Sequence, residues 1–219
     1  FFGGIVVQKE QLCYDKVVSL FLNLQTKVKV AHMNKLLLAS ASPRRHELLT
    51  LLGIPFETYS ADIDESIPSH MTPEEAVQEL AFQKANAALQ KFNDKVIIGC
   101  DTIVVYNEQI LGKPKDKNDA REMLTQLSNH THEVYTGVCI LSKTKKILFS
   151  EKTDVTFWEL TQQEILAYVD SKEPFDKAGS YGIQGKAALF VKGIQGDYYN
   201  VVGLPVSRLA RELAQFASS

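Results

Sequence analysis

Residues 35–47 are KLLLASASPRRHE, an apolar run that gives way to small residues and then to two arginines. Leu36–Ala39 has the composition of a buried strand. Ser42 is a typical helix N-cap, and Pro43 suits the first helical position, where proline loses no needed donor. A strand that enters a helix through small residues directs free backbone N–H groups and the positive end of the helix at one point. The stretch therefore predicts a phosphate-binding site.

The two arginines of this stretch strengthen the prediction. Arg44 and Arg45 would lie in the first helical turn, where a planar guanidinium binds phosphate oxygens through two hydrogen bonds. Adjacent helical residues point about 100° apart, so both side chains need not contact one ligand. Strand-turn-helix junctions without a ligand are also common, and these residues alone leave that alternative open.

Length and charge narrow the class of protein. The chain has 219 residues, enough for one sizeable core or for two lobes that share a cleft. Its 45% hydrophobic and 23% charged residues are typical of a globular protein. The net charge of −2 gives no general attraction to nucleic acid or to an anionic membrane. We therefore expect no nucleic-acid partner and no membrane association, and local positive charge must bind any anionic substrate.

The first 32 residues give the fewest indications of structure or function. Their apolar runs are shorter than the roughly 18 residues of a membrane span, and they lack the basic start and the small-residue cleavage site of a secretory signal. His32-Met33 directly precedes the predicted strand and is similar to a cloning junction. We expect residues 1–32 to be an extension, either of cloning origin or a native helix, and residues 33–219 to form a single domain.

The cysteines and histidines predict ordinary structural roles. Cys13, Cys100 and Cys139 are odd in number and lack the spacing of a zinc site. Because none has a basic partner nearby in sequence, we expect them to be small buried hydrophobes in a reduced, cytoplasmic protein. Surface positions are expected for His46, His70, His130 and His132.

A second informative stretch is KVIIGCDT, residues 95–102, in which a buried strand is predicted to end in small residues and Asp101. Ligands of open α/β sheets bind beyond the carboxyl ends of strands, which is where Asp101 would lie. An aspartate at a strand end is also often a turn residue. A catalytic role and a capping role both remain open for Asp101.

Three further segments carry charge that a phosphate site could use. ADIDES, residues 61–66, has three carboxylates within four residues, which form either a solvated loop or ligands for a divalent ion. A capping box at residues 72–75 starts a helix predicted to run from Pro73 to Leu89, with Lys84 beside its apolar stripe and facing either solvent or a cleft. Gly112 permits close backbone approach, and Lys113 offers a point charge.

Most of the remaining chain is predicted to form strands and helices. One long segment is predicted to form a loop. Residues 173–185 are rich in glycine and polar residues, and a loop of this length with aromatics is typical of a functional segment. Within it, Tyr181 is expected to pack rather than to stack on a base. The other predicted elements are strands at 56–60, 104–106, 109–111, 133–142, 146–158, 187–191 and 198–202, and helices at 118–128, 161–169 and 204–216.

Four motifs together give a resemblance to a known family. They are SASPRR (residues 40–45), GCDT (99–102), GKP (112–114) and DKAGSYGIQG (176–185). The chain resembles the Maf family of nucleoside triphosphate pyrophosphatases over residues 34–216, with the motifs in the right order. The resemblance implies an α/β fold, similar to inosine triphosphatases, in which a curved mixed β-sheet with flanking helices forms two lobes around a deep cleft.

The resemblance also implies a reaction and a set of site residues. The reaction is hydrolysis of a nucleoside triphosphate to a nucleoside monophosphate and pyrophosphate, with Mg²⁺ or Mn²⁺ as cofactor. Asp101 matches the catalytic base of the family's GADT motif, although Cys100 replaces the usual alanine. The other matches are Ser40, Arg44, Arg45, Lys84 and Lys113 as phosphate-binding residues and Glu65, with Asp101, as metal ligands.

Within the family, three positions indicate the branch of dTTP/UTP pyrophosphatases. These are Arg44, Thr102 and Gln184, whereas the branch that acts on 7-methyl-GTP has SPWRR and a different final loop. Two alternatives remain: a nucleotide-binding regulator of cell division or septum formation without turnover, and an enzyme for deaminated purine triphosphates. Two-lobed enzymes of this kind often form homodimers, but no segment of the sequence marks an interface.

Overall fold

The computed structural model describes residues 36–61, 63 and 71–218. Within these ranges one mixed sheet has the strand order β2-β1-β3-β5-β6-β7, with β4 paired to β3. β1 is parallel to β2 and to β3, and the other pairs are antiparallel. The strands are Leu36–Ala39 (β1), Phe56–Thr58 (β2), Val96–Tyr106 (β3), Gln109–Leu111 (β4), Thr131–Leu141 (β5), Lys146–Phe157 (β6) and Val191–Gln195 (β7). This confirms the predicted α/β class.

Helices flank the sheet. The α-helices are Pro43–Thr50 (α1), Pro73–Lys91 (α2), Lys117–Leu127 (α3), Gln162–Asp170 (α4), Tyr198–Val202 (α5) and Val206–Ser218 (α6), and 3₁₀ turns form at Glu173–Asp176, Ala178–Ser180 and Gly185–Phe190. No helix in the described ranges combines the length and the hydropathy that a membrane crossing requires.

The helix starts confirm the capping predictions. The Ser42 hydroxyl accepts a hydrogen bond from the backbone N–H of Arg45, and Pro43 is the first residue of α1. At α2, Thr72 and Glu75 form the reciprocal bonds of a capping box. Each cap satisfies backbone donors that the helix leaves unpaired, so the start of the helix is fixed by local chemistry.

Two glycines bring α2 close to the sheet. A Cβ atom on Gly99 of β3 would lie 2.2 Å from the carbonyl oxygen of Ala81, and one on Gly137 of β5 would lie 2.2 Å from that of Val77. Only glycine permits this approach. The close contact lets Lys84, one turn beyond Ala81, reach β3.

Strand β3 contributes to several hydrophobic clusters, two of which we call the two cores. Ile98 and Cys100 pack with β1, α1 and α6 in the first core, whereas Val104 packs with α3 and α4 in the second. Along the strand, Asp101 lies between the residues of the two cores. The prediction that the strand ends at Asp101 is wrong, because β3 continues as an antiparallel partner of β5 to Tyr106. Its parallel neighbour β1 stops at Ala39, opposite Gly99, so Asp101 still lies beyond the carboxyl end of a parallel strand.

The prediction of two final strands is wrong in both places. Residues 187–190 belong to a 3₁₀ turn, and β7 begins only at Val191. Residues 198–202 form α5 instead of a strand: the Asp197 carboxylate caps its N-terminus, and Gly203, at φ 123°, ends it. These local caps override the β propensity of the Tyr and Val residues between them.

The other predicted elements agree with the structure to within a few residues. The hairpin between β3 and β4 turns at Asn107 and Glu108, which both have positive φ as a two-residue turn requires. Residues 59 and 60 fall outside β2, which is shorter than predicted. The predicted boundary at Met33 and the extension before it lie outside the described residues.

The prediction of surface histidines holds for His46 and His130 and is wrong for His132, which is 1% exposed. His70 lies outside the described residues. The His132 ring packs edge-on against Phe157 and Tyr181, and its Nε2 is 2.7 Å from the Tyr181 hydroxyl. Tyr181 is therefore buried in the core, as predicted, and no local pattern indicated that its partner would be a histidine.

The buried His132 should make stability depend on pH. Burial lowers its pKa from 6.5 to about 4, so the folded protein keeps the ring neutral where the unfolded chain binds a proton. Stability from this residue is therefore complete above pH 6.5 and is lost as the pH falls toward 4, by about 3 kcal/mol. Urea unfolding from pH 7 to pH 4.5 should show this loss. His132→Gln should remove that part of the pH dependence, and exposed His130→Gln should retain it.

Candidate active site

A cleft of about 580 Å³ opens where the two cores meet. Its walls come from the β1–α1 junction, α2, β3 and the segment 176–184. Every predicted site residue within the described ranges lines it: Ser40, Arg44, Arg45, Lys84, Asp101, Thr102, Lys113 and Gln184. The remaining predicted residue, Glu65, lies outside the described residues, so its role as a metal ligand stays a prediction.

Arg45 is the most firmly held cation in this cleft. Its Nε donates to the carbonyl oxygen of Gly203 at 2.9 Å, and its Nη2 donates to the Thr102 hydroxyl at 2.9 Å. A longer contact of 3.4 Å joins Nη1 to the hydroxyl of Ser40. Because these partners come from three distant parts of the chain, the guanidinium has one defined position at the start of α1.

The β1–α1 junction has the geometry predicted for an anion site. The Ser40 hydroxyl accepts from the backbone N–H of Ser42 at 3.2 Å, which tightens the turn before α1. Residues 40–45 all border the cleft, so the positive N-terminal end of α1 faces it. A helix start beside a fixed guanidinium is suited to bind phosphate oxygens.

Asp101 and Lys84 form an ion pair on the cleft wall. The Lys84 Nζ lies 2.5 Å from Asp101 Oδ1, and both side chains are more than four-fifths buried. This answers the open question about Lys84, which faces the cleft and not the solvent. The pair places a carboxylate, with its counter-charge, beside the phosphate-binding residues.

Two charged residues of the cleft were not predicted as site residues. The Asp176 carboxylate lies 3.3 Å from Arg44 Nη1 and 2.5 Å from Lys177 Nζ. Although partial burial opposes its ionisation, the Lys177 ammonium and the Arg44 guanidinium hold the pKa of Asp176 below its usual value. In the sequence, Asp176 and Lys177 were marked only by their place in the glycine-rich segment 173–185. That place did not indicate which side chains of the segment face the cleft.

The cleft has a clear excess of positive charge. Its described lining contains five cationic side chains and two carboxylates, the latter being Asp101 and Asp176. The cations are Arg44, Arg45, Lys84, Lys113 and Lys177. The whole chain has a net charge of −2 and so does not attract a polyanion in general. The local excess of positive charge in the cleft supplies that attraction.

The chemistry of the donors fits a divalent ion of the magnesium type. Such an ion is usually bound by one or two carboxylates together with substrate phosphates. Asp101 offers a hard oxygen ligand within the phosphate-binding cleft. In the described part of the chain no three His, Cys, Asp or Glu side chains come together as a dedicated metal cage. Asp101 is therefore the described residue best suited to hold the ion.

The two described cysteines are buried and do not line the cleft. Cys100 and Cys139 are fully buried, as predicted, and Cys13 lies outside the described residues. Burial raises the pKa of Cys100, and it raises that of Cys139 to about 12. Neither thiol is suited to act as a nucleophile.

Sheet topology and cleft together define an α/β protein with a cleft rich in cationic side chains. The Maf family model, described as Maf-like protein, matches residues 35–216, and the chain belongs to this family.

Curated relatives support the same assignment. Over 184 residues the chain is 59% identical to a Bacillus anthracis protein named dTTP/UTP pyrophosphatase and 58% identical to one of the same name from Bacillus cereus (strain AH820). Each match covers 84% of this chain and 96% of the relative. Among solved structures, the Staphylococcus aureus Ham1 protein is 13% identical, with a TM-score of 0.45, over 81% of this chain and 98% of that one.

Proposed function

We propose that this protein hydrolyses dTTP and UTP to the nucleoside monophosphate and pyrophosphate. The observation that carries the proposal is the Asp101–Lys84 pair, which lies in the same cleft as Arg45 and the start of α1. A carboxylate beside a polyanion site suits hydrolysis of a phosphoanhydride, whereas binding alone needs only the cations. The names of the Bacillus relatives support this choice of substrate.

The cleft residues have different roles in the proposed reaction. Arg45, Ser40 and the N-terminal end of α1 bind phosphate oxygens, and Lys113 neutralises further negative charge on the triphosphate of the substrate. Asp101 accepts a proton from the water that attacks the α-phosphorus, and the bond from that phosphorus to the bridging oxygen breaks. Pyrophosphate leaves with the bridging oxygen. Phosphoryl chemistry of this kind depends on positioning and charge stabilisation, which these fixed donors supply.

Mg²⁺ or Mn²⁺ completes the proposal. Asp101, together with Glu65, would hold the ion, which when bound neutralises phosphate charge and favours ionisation of a water molecule. Lys84 balances the charge of Asp101 on the protein side. The ion would add positive charge beside the triphosphate, whose negative charge the cationic side chains of the cleft do not neutralise completely.

Three residues of the cleft lining would select the nucleobase of the substrate. Gln184 is exposed and borders the cleft, and its amide has both the donor and the acceptor that the edge of a pyrimidine requires. Arg44 and Thr102 also border the cleft. We include all three in the proposal as the residues that favour dTTP and UTP.

A substrate panel tests this function directly. Pyrophosphate release is measured with dTTP, UTP, CTP, 7-methyl-GTP and ITP, each with Mg²⁺ and with Mn²⁺. We expect kcat/KM for dTTP and UTP to exceed that for the other three nucleotides at least about tenfold, the value of one good hydrogen bond to the base. Tight binding of dTTP without release of pyrophosphate would instead favour the nucleotide-binding regulator, and preference for ITP would favour the purine enzyme.

A further inference from the structure

A line of two threonine hydroxyl groups connects Arg45 to the helix α5. The Thr102 hydroxyl receives the Arg45 Nη2 bond and lies 2.8 Å from the hydroxyl of Thr136. Thr136, which is fully buried in β5, lies directly opposite Thr102 in the β3–β5 register and donates to the carbonyl oxygen of Asn200 at 3.0 Å. The line ends inside α5, far from Arg45 in sequence.

The direction of each hydrogen bond in this line is determined by its ends. Asn200 contributes a carbonyl oxygen, which only accepts, so the single proton of Thr136 is used there. Thr136 must therefore accept from Thr102. Thr102, having donated its proton to Thr136, presents only lone pairs to Arg45, which only donates. Thr136 thus fixes the orientation in which Thr102 can receive the guanidinium.

The far end of the line is rigid. Asn200 is fully buried, and its Nδ2 donates to the carbonyl oxygen of Val134 and to the hydroxyl of Thr153, each at 3.0 Å. Gly203, which ends α5, accepts directly from Arg45 Nε. The same short helix therefore holds Arg45 at two points, directly through Gly203 and indirectly through Asn200 and the two threonines.

We propose that Thr136 is a positioning residue for Arg45, acting through the Thr102 hydroxyl, so that the guanidinium is directed at the phosphate chain of the substrate. This inference rests on the proposed function and adds to it a residue that no motif contains. Thr136 is not among the residues that line the cleft, so it would act on the substrate only through Thr102 and Arg45. If Thr136 lost its hydroxyl, the Thr102 hydroxyl would lose the acceptor that fixes its rotamer, and its lone pairs would no longer be held in the direction of Arg45.

Thr136→Val and Thr136→Ser test the proposal. Valine keeps the shape of threonine and removes the hydroxyl, whereas serine keeps the hydroxyl. We expect valine to lower kcat/KM for dTTP and for UTP by the same factor, about tenfold, and serine to restore at least half of the lost activity on a logarithmic scale. A loss confined to one base, or an equal loss with serine, would overturn the proposal.

A double-mutant cycle with Arg45→Lys separates positioning from a general structural effect. Because Thr136 acts through Arg45, adding Thr136→Val to Arg45→Lys should cause no further loss, whereas independent roles would give multiplied losses and contradict the proposal. Thr131→Val is the matched control. It removes a hydroxyl from another cross-strand threonine pair of β5, exposed and outside the cleft, and should leave kcat/KM unchanged.

Binding of inorganic pyrophosphate, measured by titration calorimetry, needs no turnover. Thr136→Val should weaken this binding about tenfold and Thr131→Val should not change it, since Arg45 binds the phosphate chain and not the base. If the wild-type protein released no pyrophosphate from any nucleotide, the proposed function would fail while this comparison still tested the positioning role. Equal affinity of wild type and Thr136→Val at 25 °C would overturn the positioning role alone.

Discussion

Asp101→Asn is expected to lower kcat for dTTP hydrolysis by about 10³-fold, within the range that loss of a positioned general base causes. Asparagine has the size of aspartate but accepts no proton from water, and it lacks the negative charge that pairs with the Lys84 ammonium. Without Mg²⁺ or Mn²⁺, where the proposed metal-binding role of Asp101 does not contribute, removing a negative charge from the cleft should not weaken binding of the phosphate chain. Single-turnover kinetics, with nucleotide affinity measured in parallel, would separate the two effects.

Asp176→Asn is the matched control for this experiment. Asp176 is the other carboxylate of the described cleft lining. It contacts Arg44 and Lys177, whereas Asp101 contacts Lys84. Its replacement should reduce kcat far less than the replacement of Asp101. Comparable losses in both variants would mean that the cleft needs negative charge in general, and the role of Asp101 as the base would be wrong.

Arg45→Ala is expected to lower kcat/KM by about 10³-fold, the effect of removing a fixed cation that stabilises a transferring phosphoryl group. The loss should be large because the guanidinium is already held by Gly203 and Thr102 before substrate arrives, so it binds phosphate without reorganisation. Steady-state kinetics with dTTP and UTP would measure the loss. It should be equal for the two bases, since a phosphate ligand does not distinguish them.

Arg44→Ala provides the comparison within the same helical turn. Among the described residues, Arg44 is held only by Asp176, at 3.3 Å. Its removal should therefore cost about tenfold in kcat/KM, consistent with one charge-assisted contact near the surface. A larger loss for Arg44 than for Arg45 would reverse the roles that the geometry assigns to the two arginines. Thermal unfolding of both variants would check that each is folded.

Sequence was a good guide where local chemistry fixes the backbone. Ser42 and Pro43 determine the start of α1, and the Thr72 and Glu75 capping box determines the start of α2. Buried strands such as β1 follow from a run of apolar residues. These features need only neighbouring residues, and the predicted site residues that depend on them do meet in one cleft.

Sequence was a poor guide where distant residues decide the outcome. Val and Tyr in 198–202 favour a strand, but Asp197 and Gly203 cap a short helix there, and Asn200 pairs with strands β5 and β6. His132 is buried because Tyr181, 49 residues away, provides its hydrogen bond. The line from Arg45 through Thr136 likewise joins parts of the chain that no local pattern connects.

The passage of β3, β5 and β6 through both cores bears on how the cleft handles its ligands. Each strand has residues packed in both cores, so one continuous hydrogen-bonded sheet joins the two cores. Proteins that close by a hinge bend at a few linker residues. Here the cores are joined by paired strands, so a change in the width of the cleft would require the sheet itself to bend or twist. We expect the smaller adjustments to a nucleotide to come from side chains that border the cleft, such as Arg44 and Gln184.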